Sequence, residues 1–103
     1  MGRALLFHNQ DNVAVALEDL AGGSDIPVAG AAPQLSVRAL QDILFGHKVA
    51  VRDIADGNLI IKYGVPVGVA TREIRTGEWV HIHNVRSSFV EQSSYLHQGD
   101  AGK

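Results

Sequence analysis

The chain contains no cysteine, and this absence excludes several classes of stabilisation and of cofactor. Without thiols the fold cannot be held by disulfides, and the chain cannot ligate an iron–sulfur cluster or a thiolate-bound zinc ion. Any metal held by this chain must therefore be bound by imidazole, carboxylate or backbone oxygen. A fold that needs no disulfides fits the cytoplasm, which is the localisation we expect.

Long hydrophobic runs and clusters of basic residues are also missing. No apolar stretch is long enough to cross a bilayer, and the apolar part of residues 1–7 is too short for a secretory signal. The formal net charge is −2, which argues against nucleic acid or an anionic membrane as the main partner. We therefore expect no nucleic-acid partner and no membrane partner.

What the chain does have is an ordinary globular composition at modest length. Its 103 residues predict one domain, and 46% of them are hydrophobic. A chain of this size buries only about 60–70% of its unfolded surface, so its core is small and it gains from a partner. Without one, we expect that it can form a homo-oligomer.

One sequence unit occurs four times, with the pattern acid–aliphatic–x–x–Gly–x–x–aliphatic. We expect the carboxylate to cap a single helical turn by accepting from backbone N–H groups two or three residues on. Glycine then supplies a positive φ, and the apolar run that follows predicts a strand. Each unit therefore predicts a one-turn helical corner between two strands. The copies begin at Asp19, Asp42, Asp53 and Glu73, and their glycines are Gly23, Gly46, Gly57 and Gly77.

The segments between the corners predict an all-β fold. Short apolar or alternating runs predict strands over 4–7, 13–17, 26–28, 35–39, 49–51, 59–63, 65–70 and 78–84. A short helix over 36–45 is the alternative for one of them. Pro66, Gly68 and Ala70 leave one strand face almost bare, which predicts close approach of another backbone or a ligand. We place the domain at residues 1–85 and interpret residues 86–103 as a polar tail or linker.

Histidines provide the sharpest chemical signal. On a strand, His81 and His83 would lie on one side, roughly 7 Å apart, and two imidazoles so placed can bind one metal ion. The competing interpretation is two half-exposed rings beside Trp79. His8 and Asp11 are presented by a predicted turn, where Asp11 either caps the turn or joins a site.

Ionisable groups also interrupt apolar strands at Lys48, Lys62 and Tyr63. A lysine there can hold a substrate carboxylate or, when desolvated, act as a base, although many such lysines extend to water from a sheet edge. No nucleophile elbow, phosphate loop or close carboxylate pair is present. The chain alone does not look like a complete enzyme.

These residues carry a resemblance to a known family. The chain resembles the SAF domain (β-clip fold) of the altronate and galactarate dehydratases, over the stretches FHNQDNVAVALEDLAGG, GHKVAVRDIADGNLIIKYGVPVGVAT and GEWVHIHNV. The opening and the His-Ile-His-Asn ending look closer to altronate dehydratase. The small subunit of sulfolactate sulfo-lyase is similar as well, in its Gly-His-Lys and Ile-Lys-Tyr-Gly patterns.

The resemblance implies an SAF-type β-clip that assists removal of water from a sugar acid, giving a 2-keto-3-deoxy acid. It implies a divalent metal, iron(II) or manganese, and a large catalytic subunit that this chain lacks. A separate small subunit is expected rather than a fragment. We predict that His8, His81 and His83, with Asp11 or His47 nearby, face the large subunit and help close its metal–substrate pocket. The candidates are His8, His81 and His83 for the metal, Asp11, Asn12, Tyr63 and Asn84 for the substrate, and His47, Lys48 and Lys62 for catalysis.

Two other functions remain open. The first is that the chain is a non-catalytic module that only recognises a sugar acid or docks subunits, since SAF domains also occur in proteins that bind sialic acid, ice or periplasmic polymers. The second is sulfo-lyase work, in which sulfite leaves in place of water. Nothing in the 103 residues decides between these leaving groups.

Overall fold

The computed structural model describes residues 2–31 and 34–87, which form nine short strands in two sheets. Within these residues there is no helix, and the all-β prediction is confirmed. None of the described segments could cross a bilayer as a helix. The strands are β1 (Ala4–Leu6), β2 (Val13–Ala16), β3 (Asp25–Gly30), β4 (Ser36–Arg38), β5 (Lys48–Ala50), β6 (Leu59–Lys62), β7 (Val65–Ala70), β8 (Trp79–Val80) and β9 (Val85–Arg86).

Six strands form the larger sheet, in the order β4-β3-β1-β2-β5-β8. Strand β1 pairs antiparallel with β2 and parallel with β3, so Ala4 lies between Ala16 and Val28. Strands β2, β5 and β8 continue the sheet in antiparallel pairs. This order brings the start of β5, with Lys48, opposite Val80 of β8.

The ends of the larger sheet approach each other. The Leu40 amide donates to the Gly77 carbonyl (2.9 Å), and the Trp79 amide donates to Oε1 of Gln41 (3.0 Å). The segment that follows β4 therefore covers the outer edge of β8, where unpaired N–H and C=O groups would otherwise remain. These two hydrogen bonds connect the outer edges of the larger sheet.

The smaller sheet has the order β6-β7-β9. Its hairpin places Lys62 opposite Val65, so only Tyr63 and Gly64 lie in the turn. At Gly68, a Cβ would lie 2.6 Å from Cγ1 of Val85 and 3.0 Å from the Arg86 carbonyl oxygen. The approach predicted for the bare strand face is therefore made there by β9 of the same chain.

Two apolar clusters stabilise the sheets. The larger lies under the six-stranded sheet, and the smaller joins the start of β2 to β6, β8 and the last two corners. Burial alternates along β3, where Ile26 and Val28 are inside and Asp25 and Pro27 outside, as a sheet with one solvated face requires. The domain has no single thick core, which fits its size.

The corners lie in two facing pairs. Leu20 bridges Ile43 and Ile54 bridges Ile74, each through two reciprocal backbone hydrogen bonds. Each corner is a four-residue turn, not a helical turn, closed by an N–H to C=O bond three residues apart. The predicted positive φ values of the four glycines are confirmed, at +85° to +92°.

The expectation that each acid caps its own corner is wrong. Asp19 accepts from the Phe45 amide (2.9 Å) and Asp42 from the Gly22 amide (2.8 Å), so the two carboxylates cap each other's corners. Asp53 likewise accepts from the amide and hydroxyl of Thr76, both at 2.8 Å. The reason is that the aliphatic bridge places each of these three aspartates beside the facing turn.

Two element predictions also change. The strand predicted over 78–84 ends at Val80; residues 81–84 form a turn, closed by the Asn84 amide on the His81 carbonyl (3.1 Å). The helix considered over 36–45 is absent, because residues 36–38 are β4 and a corner follows. The predicted tail at 86–103 lies outside the described residues from position 88 onward, while Arg86 belongs to β9.

Candidate functional site

An open cleft of about 390 Å³ lies where the two sheets meet, and we call it the cationic cleft. Its size is that of a site for a small organic molecule. The charged and titratable groups on its wall are Lys48, Lys62 and His81, and no carboxylate lines it among the described residues. The remaining lining residues are Ile60, Val67, Val80, Ile82, Val85 and Ser87.

Secondary structure brings the two lysines together from different sheets. Lys48 begins β5 and Lys62 ends β6, and both side chains are half-buried. Burial, and then the charge of Lys62, lowers the pKa of Lys48 from its usual value. The lysines therefore repel each other, and an anion between them would relieve this repulsion.

His81 is the third titratable group on the wall of the cationic cleft. Partial burial lowers the pKa of His81, and the nearby charges of His47, Lys48 and His83 lower it further. Its imidazole is therefore mainly neutral near pH 7 and can accept or donate a proton. A bound anion would favour its charged form.

Trp79 lies at the centre of three imidazoles. Its ring is stacked on His81 with centroids 5.3 Å apart, and lies 4.7 Å from His83 and 5.7 Å from His47. Its indole N–H donates to Nδ1 of His47 (3.1 Å). Since an indole nitrogen only donates, neutral His47 must carry its proton on Nε2.

The turn that presents His81 and His83 is built on Asn84. This side chain is fully buried; its Oδ1 accepts from the His81 amide and its Nδ2 donates to the Trp79 carbonyl, both at 2.9 Å. The predicted substrate contact of Asn84 is therefore not supported by its position, because both ends of its amide bind backbone. Its role is to shape the turn.

Asp11 is likewise buried and fully engaged. Its Oδ2 accepts from the amides of His8 (3.1 Å) and Tyr63 (3.0 Å), and its Oδ1 accepts from the Gly64 amide (2.8 Å). The carboxylate thus ties the first turn of the chain to the tip of the β6–β7 hairpin. This position fits the capping interpretation and does not support direct contact with substrate.

Asn12 forms hydrogen bonds with the backbone of β6, as a neighbouring strand would. Its Oδ1 accepts from the Ile61 amide (2.8 Å), and its Nδ2 donates to the Leu59 carbonyl (2.9 Å). The backbone amide of Asn12 also donates to the Ile61 carbonyl (3.2 Å). Asn12 therefore joins the two sheets, and its side-chain amide is occupied.

The three histidines predicted as metal ligands are not assembled into one centre. His8 is exposed; its Nδ1 accepts from the Gln10 amide (3.0 Å), and its ring lies against Gly64. His81 and His83 instead contact Trp79. Within residues 2–31 and 34–87, no three histidine or acidic side chains are placed to bind a common ion. These residues do not by themselves fit a divalent metal.

The structure also adds residues that sequence patterns missed. Phe7 packs on Tyr63 with ring centroids 4.4 Å apart, and Lys62 Nζ lies 4.9 Å from the Tyr63 centroid and 5.8 Å from that of Phe7. Val67 and Ile82 line the cationic cleft. The sequence shows Phe7 just before His8, but its partner Tyr63 is distant in sequence, so local patterns could not reveal the contact.

Comparison with known proteins places the chain. The altronate/galactarate dehydratase SAF domain model matches residues 2–88. Altronate dehydratase of Escherichia coli (strain K12) is 44% identical over 94 residues, which are 91% of this chain and 18% of that protein. Altronate dehydratase of Bacillus subtilis (strain 168) is 36% identical over 89 residues, 86% of this chain and 17% of that protein.

A shorter relative is similar over part of the chain. The (2R)-sulfolactate sulfo-lyase subunit alpha of Chromohalobacter salexigens is 49% identical over 45 residues, 44% of this chain and 48% of that subunit. The chain thus spans less than a fifth of the length of the two altronate dehydratases. With the family model covering most of its length, the chain belongs to the altronate/galactarate dehydratase SAF domain family.

Proposed function

We propose that this chain is the SAF part of a sugar-acid dehydratase, with altronate as the first substrate to test, and that it binds the substrate carboxylate. The observation that carries the proposal is the cationic cleft: two lysines and one histidine line it, with no acid among the described lining residues. Such a surface favours an anion. The relatives named altronate dehydratase supply the substrate class.

The cleft suits one end of a sugar acid better than the whole molecule. Its other walls are mostly aliphatic, and aliphatic groups offer a hydroxyl no hydrogen-bond partner. We therefore place the carboxylate between Lys48 and Lys62, with the hydroxylated carbons facing a larger catalytic region. That region completes the site in this proposal.

Dehydration requires three groups. A base removes the proton from the carbon beside the carboxylate, a cation stabilises the charge that develops on the carboxylate oxygens, and an acid protonates the departing hydroxyl. Lys48 and Lys62 supply the second function. His81 lines the cleft and is suited to proton transfer, because its lowered pKa keeps it neutral near pH 7. The His47 ring is not part of the cleft wall, but its centroid lies 4.8 Å from that of His81.

The partner is a larger catalytic region of the dehydratase, on the same or a separate chain. The relatives named altronate dehydratase extend far beyond the matched segment. The sulfo-lyase relative, by its name a subunit alpha, supports a separate subunit. Metal dependence stays a prediction, and a metal here would need ligands from outside this chain, so no step is routed through one.

The test is a reconstituted enzyme assayed for formation of a 2-keto-3-deoxy acid from altronate and galactarate. We expect Lys48→Gln and Lys62→Gln each to raise KM at least tenfold, which corresponds to about 1.4 kcal/mol. Arg3→Gln is the matched control, since Arg3 is exposed and pairs with Glu18 away from the cleft. Lysine variants with unchanged KM and kcat would refute the proposal.

The imidazoles are tested separately. The double variant His81→Ala/His83→Ala should abolish turnover in the reconstituted enzyme while the chain stays folded. If turnover falls less than about tenfold, the two rings do not act on the substrate. Circular dichroism of the variant checks the fold.

The second candidate is sulfolactate sulfo-lyase, favoured by the local identity to its subunit alpha. Sulfite release from (2R)-sulfolactate by the same reconstituted enzyme would support it. Calorimetry of this chain alone with altronate, galactarate and sulfolactate tests the recognition module. Binding without the larger region would favour that module over a shared site.

A further inference from the structure

The tip of the β6–β7 hairpin has an unusual residue at a position that normally takes glycine or asparagine. Tyr63 has φ +58° and Gly64 has φ +75°, and these two residues alone connect Lys62 to Val65. Positive φ at both central residues describes a type I′ turn, for which Asn-Gly is strongly preferred. A tyrosine with positive φ is an outlier that calls for an explanation.

Residues outside the hairpin, Asp11 and His8, hold the turn in place. The buried carboxylate of Asp11 accepts from the amides of both Tyr63 and Gly64. Behind the turn, Gly64 lies against the His8 ring, where a Cβ would come within 3.0 Å of the imidazole. The surrounding structure therefore enforces the left-handed conformation of Tyr63, as expected where strain serves a function.

The side chain of Tyr63 does not contribute to the core. It is 57% exposed, and it packs against Phe7, itself 38% exposed, with centroids 4.4 Å apart. The Lys62 ammonium lies over both rings, 4.9 Å from the centroid of Tyr63 and 5.8 Å from that of Phe7. Both distances are within the range of cation–π attraction.

We infer that Tyr63 and Phe7 form an aromatic platform that positions the Lys62 ammonium in the cationic cleft. Tyr63 is thus a positioning residue: without the platform, the four-carbon stem of Lys62 is free to extend into water. Asparagine would suit the turn better but would remove the ring. The inference rests on the proposed function, because it assigns Lys62 to the substrate carboxylate.

Tyr63→Asn separates the two roles of this residue. It installs the preferred Asn-Gly turn, so the urea midpoint of the full chain should stay the same or rise. In the reconstituted enzyme, we expect KM for altronate to rise at least fivefold and kcat to fall as well, because Lys62 stabilises both the bound carboxylate and the charge that develops on it. Tyr63→Phe keeps the ring and should match the unsubstituted protein. Phe7→Leu removes the other ring and should also raise KM.

A spectroscopic measurement follows the platform directly. The Lys62 Hε protons should show upfield ring-current shifts in the NMR spectrum of the full chain, and Tyr63→Asn should reduce these shifts. Unchanged shifts would overturn the inference, as would an unchanged KM. Weaker assembly with the larger region at unchanged KM would also overturn it, in favour of a docking role for the exposed rings.

Comparing Lys62→Gln with Tyr63→Asn distinguishes failure of the aromatic platform from failure of the proposed function. If Lys62→Gln raises KM and Tyr63→Asn does not, the platform is wrong and the proposed function stands. If neither variant changes KM, the assignment of Lys62 to the carboxylate fails, and with it the proposed function. If both raise KM while Tyr63→Asn keeps its stability, both are supported.

Discussion

Replacing Asp11 by asparagine tests whether this residue is structural or contacts substrate. The carboxylate is fully buried and accepts three backbone amides, two at Oδ2 and one at Oδ1. Asparagine has one acceptor oxygen in place of two. If that oxygen takes the Oδ2 position, the new NH₂ group faces the Gly64 amide, donor against donor.

The magnitude follows from these bonds. Loss of one hydrogen bond to a charged acceptor costs about 1.5–3 kcal/mol, and the two that remain weaken because their acceptor becomes neutral. We therefore expect Asp11→Asn to lower the free energy of unfolding by about 3–4 kcal/mol. This is a large share of the roughly 5–15 kcal/mol typical of a domain.

Urea unfolding, followed by the fluorescence of the chain's one tryptophan, Trp79, measures this loss. Asp42→Asn is the matched control, because Asp42 accepts one exposed amide (Gly22, 2.8 Å) that asparagine can still satisfy. We expect the control to lose less than about 1 kcal/mol. Equal losses for the two variants would refute the reasoning. A raised KM for Asp11→Asn at unchanged stability would restore its predicted role in substrate binding.

Two further predictions concern the corners and pH. Gly77 and Gly57 both have positive φ, but only at Gly77 would a Cβ overlap another group, the Arg38 carbonyl oxygen. Gly77→Ala should therefore lower the free energy of unfolding by about 3–5 kcal/mol, and Gly57→Ala by only about 1–2 kcal/mol. Equal losses of stability in urea unfolding would contradict this. Because the folded-state pKa of His81 lies below its ordinary 6.5, protonation opposes folding. Stability should therefore fall as pH drops through 6.5 and level off below the folded-state pKa, and His81→Gln should weaken this dependence in unfolding measured from pH 8 to 5.

Much of the scaffold was readable from local patterns. Short apolar runs and the alternation of apolar and polar residues predicted strands close to most of the observed ones, and the four glycines have the positive φ that their place in the repeat requires. These features depend on neighbouring residues, because φ and side-chain direction are properties of a few consecutive positions. The repeat therefore predicted the corners themselves.

Local sequence patterns could not predict which corners pair with each other. Asp19 and Asp42 cap each other's turns, and the choice between capping within a corner and across a pair depends on which corners meet. The His-x-His pattern misled for a related reason. Alternation predicted a strand, but the buried side chain of Asn84 binds the backbone on both sides and closes a turn there.

The sequence by itself determined the fold class, the four glycine corners and the family, together with the residue types available for chemistry. Only the tertiary structure decided which of them meet. It placed Lys48 and Lys62, from different sheets, on one cleft, and it buried Asp11 and Asn84 as structural groups. The physical reason is that strand conformation is set by neighbouring residues, whereas the charge environment of a side chain depends on distant segments packed against it.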